Sequence, residues 1–521
     1  MRRARRAEIV VANHALVMVQ AALGGLDDAT MPTRYVFDEG HHLFDAADSA
    51  FSAHLSGMEA AELRRWLLGA EGGRSRARGL QRRAEDLVGH SETAARALEE
   101  ALAAARALPS TGWVIRLEEN APHGPAETFL ALVRQQVLAR AADPDTPYGL
   151  ECEVGPPVPG LPEAAADLAQ ALQRLSRPLT VLAKELSDLL SDEAAELDSA
   201  MRQRIESICR SIERRALMPL ASWTGMLKRL DGAPDEEFVD WFSLERSDGR
   251  LWDTGYHRHW RDPTVPFARH VASQAHGILV TSATLRDGAG AVEPDWMGAE
   301  RRTGAVHLPV PALRAAVPSP FDYGKATRVF VVTDVRKDDL DQVAAAYREL
   351  FLAAGGGALG LFTAISRLRA VQKKIAPALD SAGLPLLAQH VDGMDNGTIV
   401  DIFRADEDAC LLGTDAMRDG VDVPGRSLRL IVFDRVPWPR PDILHKARRQ
   451  TFGGKDYDDM ITRLRLKQAF GRLVRRAGDA GVFVLLDPMM PSRLNGAFPP
   501  EVAVRRVGLA EAVAATREFL G

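Results

Sequence analysis

Two separated groups of residues in this sequence have the types and spacing of a phosphoryl-transfer site. Asp38-Glu39-Gly40-His41 puts two carboxylates directly after the apolar run Tyr35-Val36-Phe37, where a strand would end. Gln468-Ala469-Phe470-Gly471-Arg472-Leu473-Val474-Arg475-Arg476 puts several guanidinium groups on an expected helix near the other end. A carboxylate pair can hold a magnesium ion and orient water, and arginines facing it can stabilise charge on a transferring phosphoryl group. That is the division of labour of nucleoside triphosphate hydrolysis. Either group alone is a weak signal, because a DEGH tetrapeptide usually reads as a solvated turn.

The segments between them repeat one arrangement. Asn13-His14-Ala15-Leu16 follows the strand-like Glu8-Ile9-Val10-Val11; Thr281-Ser282-Ala283-Thr284-Leu285 follows Gly277-Ile278-Leu279-Val280; Gly420-Val421-Asp422-Val423-Pro424-Gly425 follows Cys410-Leu411-Leu412-Gly413-Thr414. Each places small or polar residues at or beyond the carboxyl end of a short apolar run, the edge at which open α/β sheets bind ligands.

The elements that must position these residues fall into three parts. Residues 1–55 and 236–315 are expected to build an incomplete first α/β domain. Residues 56–235 are rich in Ala, Leu, Arg and Glu with helical periodicity, as in Leu63, Leu67 and Leu68 or Leu182, Leu186, Leu189 and Leu190. They read as an all-helical insertion, broken by Gly155-Pro156-Pro157-Val158-Pro159-Gly160-Leu161-Pro162. Residues 316–521 alternate short apolar runs (Arg328 to Val332, Ala358 to Phe362, Leu386 to His390, Ala409 to Leu412, Leu428 to Phe433, Val482 to Leu486) with helical stretches, the pattern of a parallel-sheet α/β domain.

With these motifs in this order, the chain resembles the DinG-like branch of superfamily 2 DNA helicases, relatives of the XPD repair helicase, over nearly its whole length. Asn13 to Leu16 matches the segment before the DEAH box, here Asp38 to His41. Thr281 to Leu285 looks like motif III, Gly355 to Thr363 like motif IV, Gly420 to Gly425 like motif V and Gln468 to Arg476 like motif VI. The resemblance implies two RecA-like motor domains, with the helical insertion in the place of the Arch domain that helps to enclose a single strand.

It also implies roles, position by position. Asp38 would coordinate magnesium held with ATP, and Glu39 would polarise the attacking water as general base. His41 would couple the nucleotide site to neighbouring motifs. Gly420 and Asp422 would contact nucleotide, and Gln468, Gly471, Arg472 and Arg475 would frame the γ-phosphate, one arginine acting as the finger. Thr363, Ser366, Arg367 and Thr414 are the candidate contacts to DNA, with Gln389-His390 and Trp438 ranked below them.

The chain departs from the family pattern in three places. DEGH replaces DEAH, keeping both carboxylates and the histidine, a change expected to be benign. Before motif V stands Ala416-Met417-Arg418-Asp419, where many relatives have an aromatic pair and an acidic residue. A phosphate-cradling loop, Gly-x-x-x-x-Gly-Lys followed by Ser or Thr, is not found: Gly324-Lys325 and Gly454-Lys455 are followed by Ala326 and Asp456 and lack the earlier glycine. In the family this loop precedes the Asn13 segment, so the chain is expected to be the carboxyl-terminal part of a longer protein.

Composition narrows the partners. A net charge of −6 over 521 residues excludes a globally basic nucleic-acid coat, so DNA contacts must come from local patches. The resemblance implies single-stranded DNA and forked or RNA–DNA hybrid substrates, a monomer and 5′-to-3′ polarity. No apolar run reaches membrane-spanning length and no signal-peptide core opens the chain, giving an expected cytoplasmic protein with no membrane partner. Three scattered cysteines, Cys152, Cys209 and Cys410, cannot ligate a four-cysteine iron–sulfur cluster; the family's cluster ligands would lie upstream. His257 and His259 near Trp260 lack a recognisable metal-binding spacing. A second reading is a non-catalytic nucleic-acid-binding or regulatory module that keeps the motor fold without a P-loop. A third, a fused exonuclease, finds no Asp/Glu constellation here to support it.

Overall fold

The computed structural model describes every residue except 1–6, 25–31, 71–78, 192–196, 231, 234, 248, 289, 291, 415–416 and 418–422, and the side chain of residue 90 is likewise left aside. The chain divides into two compact units. One gathers the residues up to Pro32 with Asp45–Gln274 and Pro441–Arg448; the other gathers Thr33–Phe44, Ala275–Arg440 and Arg449–Gly521.

The second unit is built on a seven-stranded sheet whose paired strands all run parallel. From edge to edge the strands are Val504–Val507, Thr327–Val332, Gly481–Leu485, Leu430–Phe433, Ala358–Phe362, Cys410–Thr414 and Leu386–Ala388. Its inner strands are continuous apolar runs because both faces are covered, and their side chains alternate between two cores. Val329, Val331, Leu359, Leu361, Ile431, Phe433, Phe483 and Leu485 face one core with helices Asn396–Ala405 and Lys455–Phe470. Phe330, Val332, Ala358, Phe362, Leu430, Val432, Val482 and Val484 face the other with helices Leu340–Ala354, Ile365–Ser381 and Leu509–Leu520.

Six of these strands coincide with the apolar runs of the sequence. The edge strand Val504–Val507 was not among them: Arg505 and Arg506 interrupt its apolar pattern and are exposed. Entry to the inner strand Ala358–Phe362 depends on Gly355-Gly356-Gly357, all at positive φ. A methyl on Gly356 would lie 2.3 Å from the Asp408 carbonyl oxygen, and one on Gly357 2.1 Å from that of Arg426, so only glycine lets the backbones approach.

The same unit holds a parallel pair, Arg34–Phe37 beside Gly277–Val280, in register from Arg34↔Gly277 to Phe37↔Val280. Val36 and Leu279 on these strands are exposed.

The first unit contains an antiparallel sheet in the order Ala53–Ser56, Arg250–Trp260, Phe238–Ser247, Leu150–Glu153. Helices Gly57–Leu68, Glu92–Ala104, Gly124–Arg140, Leu161–Ser191, Ser199–Ile212 and Met218–Lys228 share one core with it. The long helix buries Leu161, Leu168, Leu172, Leu175, Leu179, Leu182 and Leu186, spaced by three, four and seven as one helical face requires. The short strand Leu150–Glu153 lies within the stretch read as all-helical and pairs with Phe238–Ser247. Glu8–Val11, expected as a strand, is irregular and its apolar side chains are exposed. A strand needs a neighbouring backbone for its hydrogen bonds, and among the described residues no strand pairs with it. Among the described residues no helix is long and apolar enough to cross a membrane.

Candidate functional site

The parallel pair fixes the DEGH turn. Because Phe37 and Val280 are register partners, Asp38-Glu39 and Thr281–Leu285 leave the sheet at the same edge. Two backbone bonds tie them: the Thr281 N–H donates to the Phe37 carbonyl and the Gly40 N–H to the Thr281 carbonyl, each at 2.9 Å. Glu39 adopts φ 49° and ψ 47°, a left-handed conformation uncommon outside glycine, and its N–H donates to Asp38 Oδ1 at 3.0 Å. Sparsely populated backbone of this kind concentrates at functional sites.

The Glu39 carboxylate is held by Ser282 and His41. Ser282 Oγ donates to Glu39 Oε2 at 3.1 Å and lies 2.8 Å from His41 Nδ1, which is itself 3.1 Å from Glu39 Oε2. His41 is nearly buried, its side chain 10% exposed, whereas that of Glu39 is 56% exposed. The Arg302 guanidinium donates to the His41 carbonyl at 3.0 Å and fixes the short 3-10 turn Gly40–His42. The result is an outward-facing glutamate steered by a serine and a histidine, beside an exposed aspartate. Carboxylate oxygens at an accessible edge are the donors a hard magnesium ion selects, so Asp38 suits that role.

Of the second group, Gln468 stands half-buried in the last turn of helix Lys455–Phe470. The helix was expected to carry the arginines as well, but it ends at Phe470. The Gly471 N–H bonds the Lys467 carbonyl at 2.9 Å, and Leu473 and Val474 turn into the core. The N–H groups of Arg475 and Arg476 both donate to Asp479 Oδ2 at 2.8 Å, a side-chain acceptor that competes with helical bonding. Arg472, Arg475 and Arg476 therefore stand on a carboxylate-braced loop.

The candidate DNA contacts gather at the carboxyl ends of the central parallel strands. Thr363 and Ser366 are exposed, at the start of a helix that no side chain caps. The Thr363 N–H donates to Asp434 Oδ1 at 3.1 Å, and Arg367 Nε donates to Asp434 Oδ2 at 2.6 Å. Asp434 is fully buried; burial pushes its carboxyl up and Arg367 draws it back. Thr414 gives both its N–H and its hydroxyl to Gln389 Oε1, at 2.9 and 2.8 Å. His390 has φ 63°, and Trp438 is 40% exposed. Gly420 and Asp422 lie outside the described residues.

His257 and His259 pack with His54 in the first unit. Among the described residues no group of three or more His, Cys, Asp or Glu side chains is placed to hold a metal ion. Ser282 and Asp479 were missed as functional candidates by sequence reasoning; Ser282 stood inside a noted motif, whereas nothing local marks Asp479.

Residues 347–502 match the model described as Helicase C-terminal domain. The chain is 36% identical over 194 residues to the ATP-dependent helicase DinG of Mycobacterium tuberculosis strain H37Ra, a match covering 35% of this chain and 28% of that protein. It is 26% identical over 288 residues to the protein named 3′-5′ exonuclease DinG in Bacillus subtilis strain 168, covering 53% and 30%. A longer match, 24% identical over 522 residues, is to the ATP-dependent DNA helicase DinG of Photobacterium profundum, covering 94% and 67%. The chain is thus similar to proteins named DinG helicase, and it spans well under half the length of the first of these relatives.

Proposed function

We propose that this chain works in a DinG-type ATP-dependent DNA helicase, coupling ATP hydrolysis to movement along single-stranded DNA and to duplex unwinding with 5′-to-3′ polarity. The observation that carries the reading is the triangle of Glu39, Ser282 and His41 at the end of paired parallel strands. A magnesium ion held through Asp38 would neutralise phosphate charge. Glu39, oriented by Ser282 and left open to solvent, is placed to take a proton from an attacking water. Gln468, Arg472 and Arg475 supply donors and positive charge for the phosphoryl group, while Gly420 and Asp422 complete the nucleotide contacts.

On the same reading, residues 1–55 and 236–315 represent the first motor domain, 56–235 an Arch-like insertion and 316–521 the second motor domain. Thr363, Ser366 and Thr414 face the strand at the sheet edge, and Arg367 contributes by holding that edge through Asp434. The test is unwinding of duplexes carrying a 5′ or a 3′ single-stranded tail, with ATP and magnesium, by the protein as the cell makes it. The reading expects the 5′-tailed duplex to open and the 3′-tailed one to stay closed. Tight strand binding with no unwinding of either would favour the non-catalytic module.

A further inference from the structure

The loop that carries Ser282 is anchored at its far end by charges in the protein interior. Arg463, on helix Lys455–Phe470, donates to Asp287 Oδ2 from Nε at 2.9 Å and also from Nη2. Both residues are buried. One turn along the helix, Lys467 Nζ donates to the Arg286 carbonyl at 2.9 Å. Arg286 pairs with the buried Asp295 at 3.1 Å, and Asp295 accepts the Gly288 N–H at 2.9 Å. Gly288 packs so tightly that a methyl there would lie 1.9 Å from the Gly496 carbonyl oxygen.

Burying three charged groups, Arg463, Asp287 and Asp295, is a poor way to gain stability, since each loses its hydration and a hydrophobic filling of the same space does as well or better. Burial pushes the Asp287 carboxyl up and the Lys467 ammonium down, while Arg463 opposes the first shift and Asp295 the second. What such a cluster does supply is a fixed position. The residues it fixes, Arg286 and Asp287, are two and three positions beyond Thr284, whose N–H donates to Ser282 Oγ at 3.1 Å. Ser282 in turn holds Glu39, and Lys467 is the immediate neighbour of Gln468.

We infer that Asp287, clamped by Arg463, is a positioning residue for Glu39: it ties loop Ser282–Asp287 to the helix bearing Gln468, so that the Ser282 hydroxyl stays on the glutamate. The inference rests on the reading of Glu39 as the general base. Asp287 touches neither substrate nor reacting atoms; it sets the geometry of the residues that do.

The test pairs Asp287→Asn with Arg463→Met in one protein, which removes both charges and leaves neither buried alone. The double variant should bind single-stranded DNA as the parent does and keep its KM for ATP, while kcat falls about tenfold, the pattern of an interaction needed in the transition state. Asp287→Glu should recover part of the loss. Wild-type kcat in the double variant, with Glu39→Gln inactive, overturns the inference alone; wild-type turnover by Glu39→Gln overturns the reading of Glu39 beneath it. Hydrogen exchange gives a second readout independent of turnover. Amides of Ser282–Asp287 should exchange about tenfold faster in the double variant if the clamp holds the loop, and unchanged exchange would overturn it.

Discussion

Gly40 and Val280 leave no room between them for a methyl group: a Cβ built on Gly40 would lie 2.2 Å from Val280 Cγ1. Gly40 is buried and its φ is not in the left-handed region, so the conflict is one of space. Val280 is β-branched and has few rotamers in which to retreat. Gly40→Ala is expected to cost about 1–3 kcal/mol by overpacking. Adding Val280→Ala should return most of it, and a double-mutant cycle from denaturant melts would show the coupling.

Asp479 braces the arginine loop through two backbone N–H groups. Asp479→Ala should leave strand binding largely intact and lower ATP turnover about tenfold, because the guanidinium groups lose their fixed approach. Unchanged turnover would show that the loop needs no brace.

Arg367 is spent on a buried carboxylate. Replacing it with Met strands Asp434 without its partner, which costs about 3–5 kcal/mol. Thermal melting should therefore register Arg367→Met strongly, whereas Ser366→Ala, at an exposed helix start, should alter single-strand affinity with little change in stability. If Arg367→Met melts like the parent and only DNA affinity drops, the arginine serves the strand directly.

Two histidines in the first unit, His54 and His257, make its stability depend on pH. His54 Nδ1 lies 2.8 Å from His257 Nδ1, His257 Nε2 lies 2.7 Å from Ser243 Oγ, and His259 Nδ1 lies 2.9 Å from Asp48, which also accepts from Arg448. Burial, with further repulsion among the rings, pulls His54 down to about 4 and His257 to about 3 from an ordinary 6.5. The unfolded chain then binds protons below pH 6.5 that the folded unit refuses. Stability is full above that pH and falls on acidification towards pH 4, by about 1.4 kcal/mol per pH unit for each imidazole. Melting temperature against pH should show this slope, reduced by His257→Gln; an unaltered slope would remove the pair as its source.

The parallel sheet of the second unit was legible because strands buried on both faces read as continuous apolar runs, as at Val329–Val332 and Leu430–Phe433. The hairpin of Phe238–Ser247 and Arg250–Trp260 was not foreseen, although Asp248-Gly249 between two alternating runs is a turn signal. Glu39, His41 and Ser282 were legible as motif members, yet their mutual distances depend on the register of two strands some 240 residues apart in sequence. The end of the helix at Phe470 and the engagement of Arg367 were hidden for a related reason. Both are decided by partners, Asp479 and Asp434, that local pattern cannot pair with them.

The most direct measurement is magnesium-dependent ATP hydrolysis by the protein as the cell makes it, with and without single-stranded DNA, for the wild type and Glu39→Gln. The account predicts turnover stimulated by DNA and reduced at least about a hundredfold by the substitution, with nucleotide affinity retained, as loss of a general base requires. Turnover by Glu39→Gln equal to that of the wild type would contradict it.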